Sequence, residues 1–371
     1  MSNCCQPTIK PEIQLKQKLI LTAILAATAG VASAQSAVTI YGIADASFTG
    51  ERGGVATNNK ITSGAASASR IGFKGSEDLG GGMAAIFTLE TGYKIDDGQL
   101  DATNTLFNRQ AFVGLKTNGG TVTIGRQYTA YHNALAQVGD PFGTGYAGGS
   151  KNLFPDSGTN VRTSNTVVYA TPNYSGITAD VSYSTGEQAG NNDAGRQFGG
   201  SIGYSNGPLN VRVAYNNKNT DTIAAGTVPA ASRNLGHNTL VVANYDFGIL
   251  RAYVAAGFDK GPGSAPLGNA TAYGRTAVAS NDGNEYLIGL SAPVGTGTLL
   301  ASVQHKNDKG TLNQDATGWG VGYLYPLSKR TNLYGAYGSI NNKNGAGYTV
   351  ANNSETGSGD KAFNLGVRHS F

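Results

Sequence analysis

The sequence predicts an all-β fold, a closed antiparallel barrel of sixteen membrane-crossing strands. Three observations predict it. Charged residues make up only 13% of the chain and glycine occurs 54 times, a balance foreign to a soluble α/β enzyme. Beyond Gln35 the dominant hydrophobic period is two, and no stretch sustains a helical period. The links between the alternating segments fall into two classes, tight turns and long polar loops.

The first element is a targeting peptide, residues 1–34, ahead of the barrel at 35–371. Lys10, Lys16 and Lys18 supply a positive flank, Leu19 to Val31 a short apolar core, and Ala32-Ser33-Ala34 a small-residue cleavage site. The core is too short to anchor the chain as a membrane helix. Residues 1–15 are unlike a signal n-region, which points to a start codon further downstream. Cys4 and Cys5 both lie in this leader, so the expected mature chain crosses an oxidising compartment without a thiol. An adjacent cysteine pair alone is also a poor metal site. Losing the leader removes three lysines and one glutamate, leaving 24 basic and 22 acidic residues. That balance argues against a nucleic-acid partner.

The strands follow in order. They are expected near 37–49, 65–75, 82–94, 105–117, 121–128, 165–172, 176–186 and 196–206. The second half continues near 208–218, 237–246, 249–259, 283–292, 297–307, 316–326, 330–341 and 361–371. In the seventh segment the alternation is plain: Ile177, Ala179, Val181 and Tyr183 oppose Thr178, Asp180, Ser182 and Ser184. Leu209, Val211, Val213 and Tyr215 repeat it against Asn210, Arg212 and Ala214. Trp319, Val321, Tyr323 and Tyr325 do so against glycine and leucine. Turns such as Ser76–Gly81, Asn118-Gly119-Gly120 and Gly207 are tight, whereas 219–236, 260–282 and 342–360 are long. A closed sheet pairs every backbone group without an edge, as a bilayer demands. A soluble sandwich or propeller would need a second sheet over each apolar face and would not explain two classes of loop. Aromatic residues near strand ends read as interfacial girdles, Tyr41, Phe48, Phe73, Phe87, Tyr183, Tyr245, Tyr325 and Tyr334 among them.

Several segments carry a family likeness: VTIYGIADASF from Val38, SRIGFKGSEDLGGGMAAIFTLETGY from Ser69, NRQAFVGL from Asn108 and GRQY from Gly125. RTSNTVVYATPNYSG from Arg162, YPLSKRTNLYGAYG from Tyr325 and the closing VRHSF complete the set. In this order the chain resembles the trimeric general porins of Gram-negative bacteria, above all β-proteobacterial ones such as those of Burkholderia, Bordetella and Neisseria. The resemblance implies a water-filled outer-membrane channel for passive diffusion of ions and small hydrophilic solutes, with no cofactor. It implies a homotrimer in contact with outer-membrane lipid and lipopolysaccharide. It also implies that the third long loop, about Thr129 to Val161, folds inward and narrows the pore. Arg70, Arg109 and Arg162 match the family's basic constriction wall, Asp140 lies on the inserted loop, and Glu90 matches an acidic position nearby. Opposed fixed charges at a narrow point bias which ions pass, and arginine stays charged at any working pH. Three wall arginines imply a mild anion preference.

Enzyme-like patterns carry little. Gly143-Thr144-Gly145-Tyr146-Ala147-Gly148 fits a dinucleotide fingerprint but lacks the preceding strand and following helix. Gly199-Gly200-Ser201-Ile202-Gly203 fits a nucleophile elbow yet lies inside an alternating strand. His132, His237, His305 and His369 are scattered without metal-ligand spacing, although His132 could line the pore. The competing readings are a substrate-selective porin, a barrel enzyme needing a converging catalytic set, and an adhesive barrel acting through its loops.

Overall fold

In a computed structural model, the structure describes residues 37–221, 236–261, 264, 270–274, 282–350 and 357–371. The expected signal segment and parts of the loops 219–236, 260–282 and 342–360 lie outside these residues. The strands are β1 (Ala37–Arg52), β2 (Asn58–Ser63), β3 (Arg70–Gly80), β4 (Met83–Gly92), β5 (Gln110–Thr117) and β6 (Gly120–Tyr128). Next come β7 (Arg162–Ala170), β8 (Ile177–Ser184), β9 (Gln197–Asn206), β10 (Leu209–Lys218), β11 (Gly236–Asp246) and β12 (Arg251–Lys260). The last are β13 (Asp282–Val294), β14 (Gly297–Asp308), β15 (Ala316–Pro326), β16 (Thr331–Asn342) and β17 (Lys361–Ser370). Each strand from β3 onward pairs antiparallel with the next, and β17 closes the barrel on β1. Among the described residues no helix is long and apolar enough to cross a membrane.

The seventeen segments make sixteen barrel positions, because β2 and β3 share one. β2 pairs with the second half of β1 and β3 with its first half. The sequence expectation of a continuous strand at 65–75 is therefore corrected. Residues 64–69 leave the sheet because the Asp45 carboxylate accepts the backbone N–H groups of Ala66 (3.1 Å) and Ser67 (2.7 Å). Gly64 supplies the left-handed turn this detour needs, at φ +71°. The strand expected from 105 begins only at Gln110, since the Asn108 side chain accepts the Gly92 N–H at 2.8 Å and holds the chain outside the ladder.

The period-two reading survives in the side chains. Val113 and Leu115 on β5, Val122 and Ile124 on β6, and Val181 and Tyr183 on β8 are exposed on the outer surface. Inward on β8 to β10, Arg212 donates to Ser201 and Thr178, both at 2.7 Å, and Ser201 donates to Asp180. Two expected girdle tyrosines face inward instead: Tyr334 is buried with its hydroxyl on Asp45 (2.5 Å), and that of Tyr41 donates to Glu90 (2.9 Å). A strand-end aromatic on the inner row finds a carboxylate, which a bilayer face would not offer.

The buried core lies inside the barrel, between one loop and half of the inner wall. The β6–β7 loop, residues 129–161, begins with the short helix α1 (Ala130–Ala134). Tyr131, Leu135, Val138 and Phe154 from this loop pack on Leu240, Val242, Ala255 and Leu287 of β11 to β13. Phe142 and Tyr146 meet Leu300, Tyr334 and Ala336, and Leu153 meets Ala316 and Ile340. Loop residues thus do for β10 to β17 what a second sheet does in a sandwich.

Candidate functional site: the constriction

The inner wall opposite the seated loop carries a cluster of three arginines. Arg70 begins β3, Glu90 lies near the end of β4, Arg109 precedes β5, Tyr128 ends β6 and Arg162 begins β7. Antiparallel order puts all five at the same end of the barrel. With Lys151, Asp156 and His132 from the loop, the three arginines and Tyr128 line a cleft of about 650 Å³. A bulge between Gly125 and Gln127 shifts the β6–β7 register and sets Tyr128 opposite Arg162. Its extra residues include Asn165 at φ +56°, in the left-handed region that asparagine tolerates.

The three arginines are held differently. Arg109 is buried, with its Nε on Glu90 Oε1 at 2.8 Å and an Nη on the Tyr128 hydroxyl. Arg162 reaches the same hydroxyl at 3.2 Å and lies 4.7 Å from the ring centroid. Arg70 donates to the Ala68 carbonyl at 2.9 Å. Among the described residues neither Arg70, Arg162 nor Lys151 has a carboxylate within ion-pair distance. The acids beside the cleft are occupied: Glu90 by Arg109 and Tyr41, and Asp156 by His132 Nδ1 at 2.8 Å.

Asp140 is placed elsewhere. Buried in the loop, its carboxylate accepts the backbone N–H groups of Phe142 (2.9 Å), Thr144 (2.9 Å) and Ser150 (2.7 Å). Burial raises its pKa, and those three donors pull it back towards the charged form. Through these bonds, which suit an Asp-Pro turn, it ties the loop's coil together, and it is not among the residues lining the cleft. The glycine-rich stretch after it serves the same packing. Thr144 and Tyr146 adopt positive φ, and Tyr146 N donates to Ala65 O at 2.5 Å. Where loop meets wall, the strands carry glycine: a Cβ at Gly338 would come 2.2 Å from Ala147 O, and one at Gly320 2.3 Å from Gly148 Cα. Polar pins complete the seat, Asn244 donating to Val138 O and Gln304 to Gly148 O, both at 2.9 Å.

The sequence reading missed Tyr128, Lys151 and Asp156 as lining residues and raised His132 only in passing. His132 stacks on Tyr128 with centroids 4.9 Å apart. The other three histidines bond to neighbouring side chains: His237 to Tyr215, His305 to Thr317 and His369 to Thr331. Among the described residues no group of three potential metal ligands forms.

The profile of the Gram-negative porin family matches residues 21–345. The chain belongs to that family. An outer membrane porin protein of Bordetella pertussis is 32% identical over 96% of this chain and 100% of its own length. Outer membrane porin protein 32 of Delftia acidovorans is 33% identical, with the same coverage of both chains. Among solved structures, an anion-selective porin from Comamonas acidovorans superposes with a TM-score of 0.73 at 27% identity, covering 91% of this chain and 100% of that one. This porin is an outer-membrane β-barrel that forms a water-filled channel for passive diffusion of ions and small hydrophilic solutes. Its third loop is seated inside the barrel, with the arginine-lined cleft between loop and wall.

Proposed function

We propose that the channel prefers anions, and that Arg70 and Arg162, with Lys151, carry the preference. One observation supports this above the rest: the cleft's cations outside ion pairs are these three, while Glu90 is paired with Arg109 and Asp156, the one carboxylate lining the cleft among the described residues, is hydrogen-bonded to His132. Arg109 and Glu90 cancel, so the wall acts through two arginines and a loop lysine. A passing anion meets uncompensated positive charge where the lumen is narrowest, and a cation is repelled there. The anion-selective Comamonas relative agrees with this reading. Planar-bilayer recording with the purified protein tests it through the reversal potential in a KCl gradient. Ohmic steps reversing towards the chloride potential are expected, and reversal towards the potassium potential would refute the preference.

The remaining expectations are proposals of the same kind. The leader 1–34 is cleaved on export, the barrel assembles as a homotrimer in lipopolysaccharide-containing outer membrane, and no cofactor takes part. Exposed Val38, Ile40 and Val113 on β1 and β5 favour burial against another copy or lipid. N-terminal sequencing of the mature protein and its unheated mobility in detergent gels check the first two.

A further inference from the structure

We infer that Tyr128 is the positioning residue of the arginine wall, fixing where Arg162 presents its charge and thereby setting the channel's ion preference. The inference rests on the proposed role of Arg162. Tyr128 is the last residue of β6 before the inserted loop, and the β6–β7 bulge sets it opposite Arg162. Its hydroxyl oxygen accepts from both Arg109 and Arg162. Two like-charged guanidiniums therefore share one neutral acceptor, and Arg109 is fixed independently by Glu90. Arg162 has no such second anchor: its described side-chain hydrogen bond is the one to Tyr128, and its Nε is buried without a partner.

The ring adds a second hold. The Arg162 guanidinium carbon lies 4.7 Å from the Tyr128 centroid, within cation–π range, and that of Arg109 lies 5.9 Å away. His132 stacks on the same ring at an interplanar angle of 14°, and its Nδ1 is bound to Asp156. The ring is thus clamped between strand and loop. A clamped ring bearing an acceptor at its tip holds a long side chain in one rotamer without neutralising it, as a carboxylate would. Neutrality is the chemical point: a glutamate here would hold Arg162 equally well and cancel its charge.

Tyr128→Phe keeps the ring and removes the acceptor, and Tyr128→Leu removes both. Freed from Tyr128, Arg162 spreads its charge over several rotamers away from the ion path. The chloride-to-potassium permeability ratio should then fall about twofold in Tyr128→Phe and further in Tyr128→Leu, with noisier open-channel current. In an Arg162→Gln background neither change should alter the ratio. Resistance of the barrel to unheated detergent reports folding, and Tyr128→Phe serves if Tyr128→Leu does not fold. An unchanged ratio in Tyr128→Phe and Tyr128→Leu, or an equal fall in the Arg162→Gln background, would overturn the inference. The wild-type reversal sign tests the anion preference separately, because the Tyr128 effect is read as a difference from wild type.

Discussion

Neutralising the Glu90–Arg109 pair should leave ion preference nearly untouched, whereas neutralising Arg162 alone should not. The magnitude follows from the cleft. Its volume of about 650 Å³ puts an ion at the centre about 5 Å from a lining charge, where Coulomb's law in water gives about 0.8 kcal/mol. Screening in 0.1 M salt reduces this to about 0.5 kcal/mol. Losing one positive charge then lowers anion occupancy about twofold and raises that of cations about twofold, so the permeability ratio moves about fivefold. Arg162→Gln is expected to show that fall, and Arg70→Gln a similar one.

The double variant Glu90→Gln/Arg109→Gln removes one charge of each sign 2.8 Å apart. Seen from the cleft centre the two nearly cancel, so its ratio should stay within about 1.5-fold of wild type. Glu90→Gln alone should raise anion preference, because Arg109 then joins the uncompensated set. The assay is reversal potential across a tenfold KCl gradient, repeated at two ionic strengths to confirm the screening. A double variant that loses as much preference as Arg162→Gln would show that all three arginines act alike, and the distinction drawn from their partners would be wrong.

Asp140→Ala orphans three buried backbone N–H groups, each bond to a charged acceptor contributing about 1.5–3 kcal/mol. The loop should become protease-sensitive between Asp140 and Lys151 while the barrel stays intact, which mass mapping of limited digests would detect. Burial holds the Lys151 ammonium below the usual lysine range, opposed by nearby Asp156. The charge is present below that pKa and lost above it, so anion preference should weaken with rising pH earlier than an ordinary lysine allows. A reversal-potential profile in which Lys151→Met lacks this alkaline limb checks it. Lys306→Met leaves Glu285 and Asp259 buried without their cation, a loss of about 3–5 kcal/mol. A lower unfolding midpoint in urea is expected, read from the loss of unheated gel mobility.

The barrel was legible because each strand separates two unlike environments, and period two reports that directly. The inserted loop was legible from the family resemblance together with its length: the loop expected at 129–161 is the gap between β6 and β7. Side-chain direction within the loop was not, since Asp140 before Pro141 suits a turn and a pore wall equally well until its donors are known. Tyr128 was hidden for a related reason. A strand-end tyrosine looks like a girdle residue, and only the bulge after Gly125 turns it inward. The Arg109–Glu90 pair depends on the β4–β5 register, which a loop of sixteen or so residues leaves open.

The division of the lumen explains the composition from which the fold was read. A sixteen-stranded barrel is wide enough to hold a loop against one wall and still leave an aqueous channel. Gly289, Gly320 and Gly338 lie where Pro141, Gly148 and Ala147 cross β13, β15 and β16, so part of the high glycine content buys loop insertion. The opposite wall, from β3 to β7, turns the long cationic side chains of Arg70, Arg109 and Arg162 to the cleft. Exchanging the two properties would cost both: a Cβ at Gly338 would press the loop towards the cleft, and an apolar Arg162 would leave Tyr128 without the charge it holds. Gly338→Val should therefore lower conductance without changing the sign of selectivity, whereas Arg162→Gln should change selectivity with little effect on barrel stability. A common response of both properties to either substitution would mean that loop seating and charge placement are one structural unit rather than two.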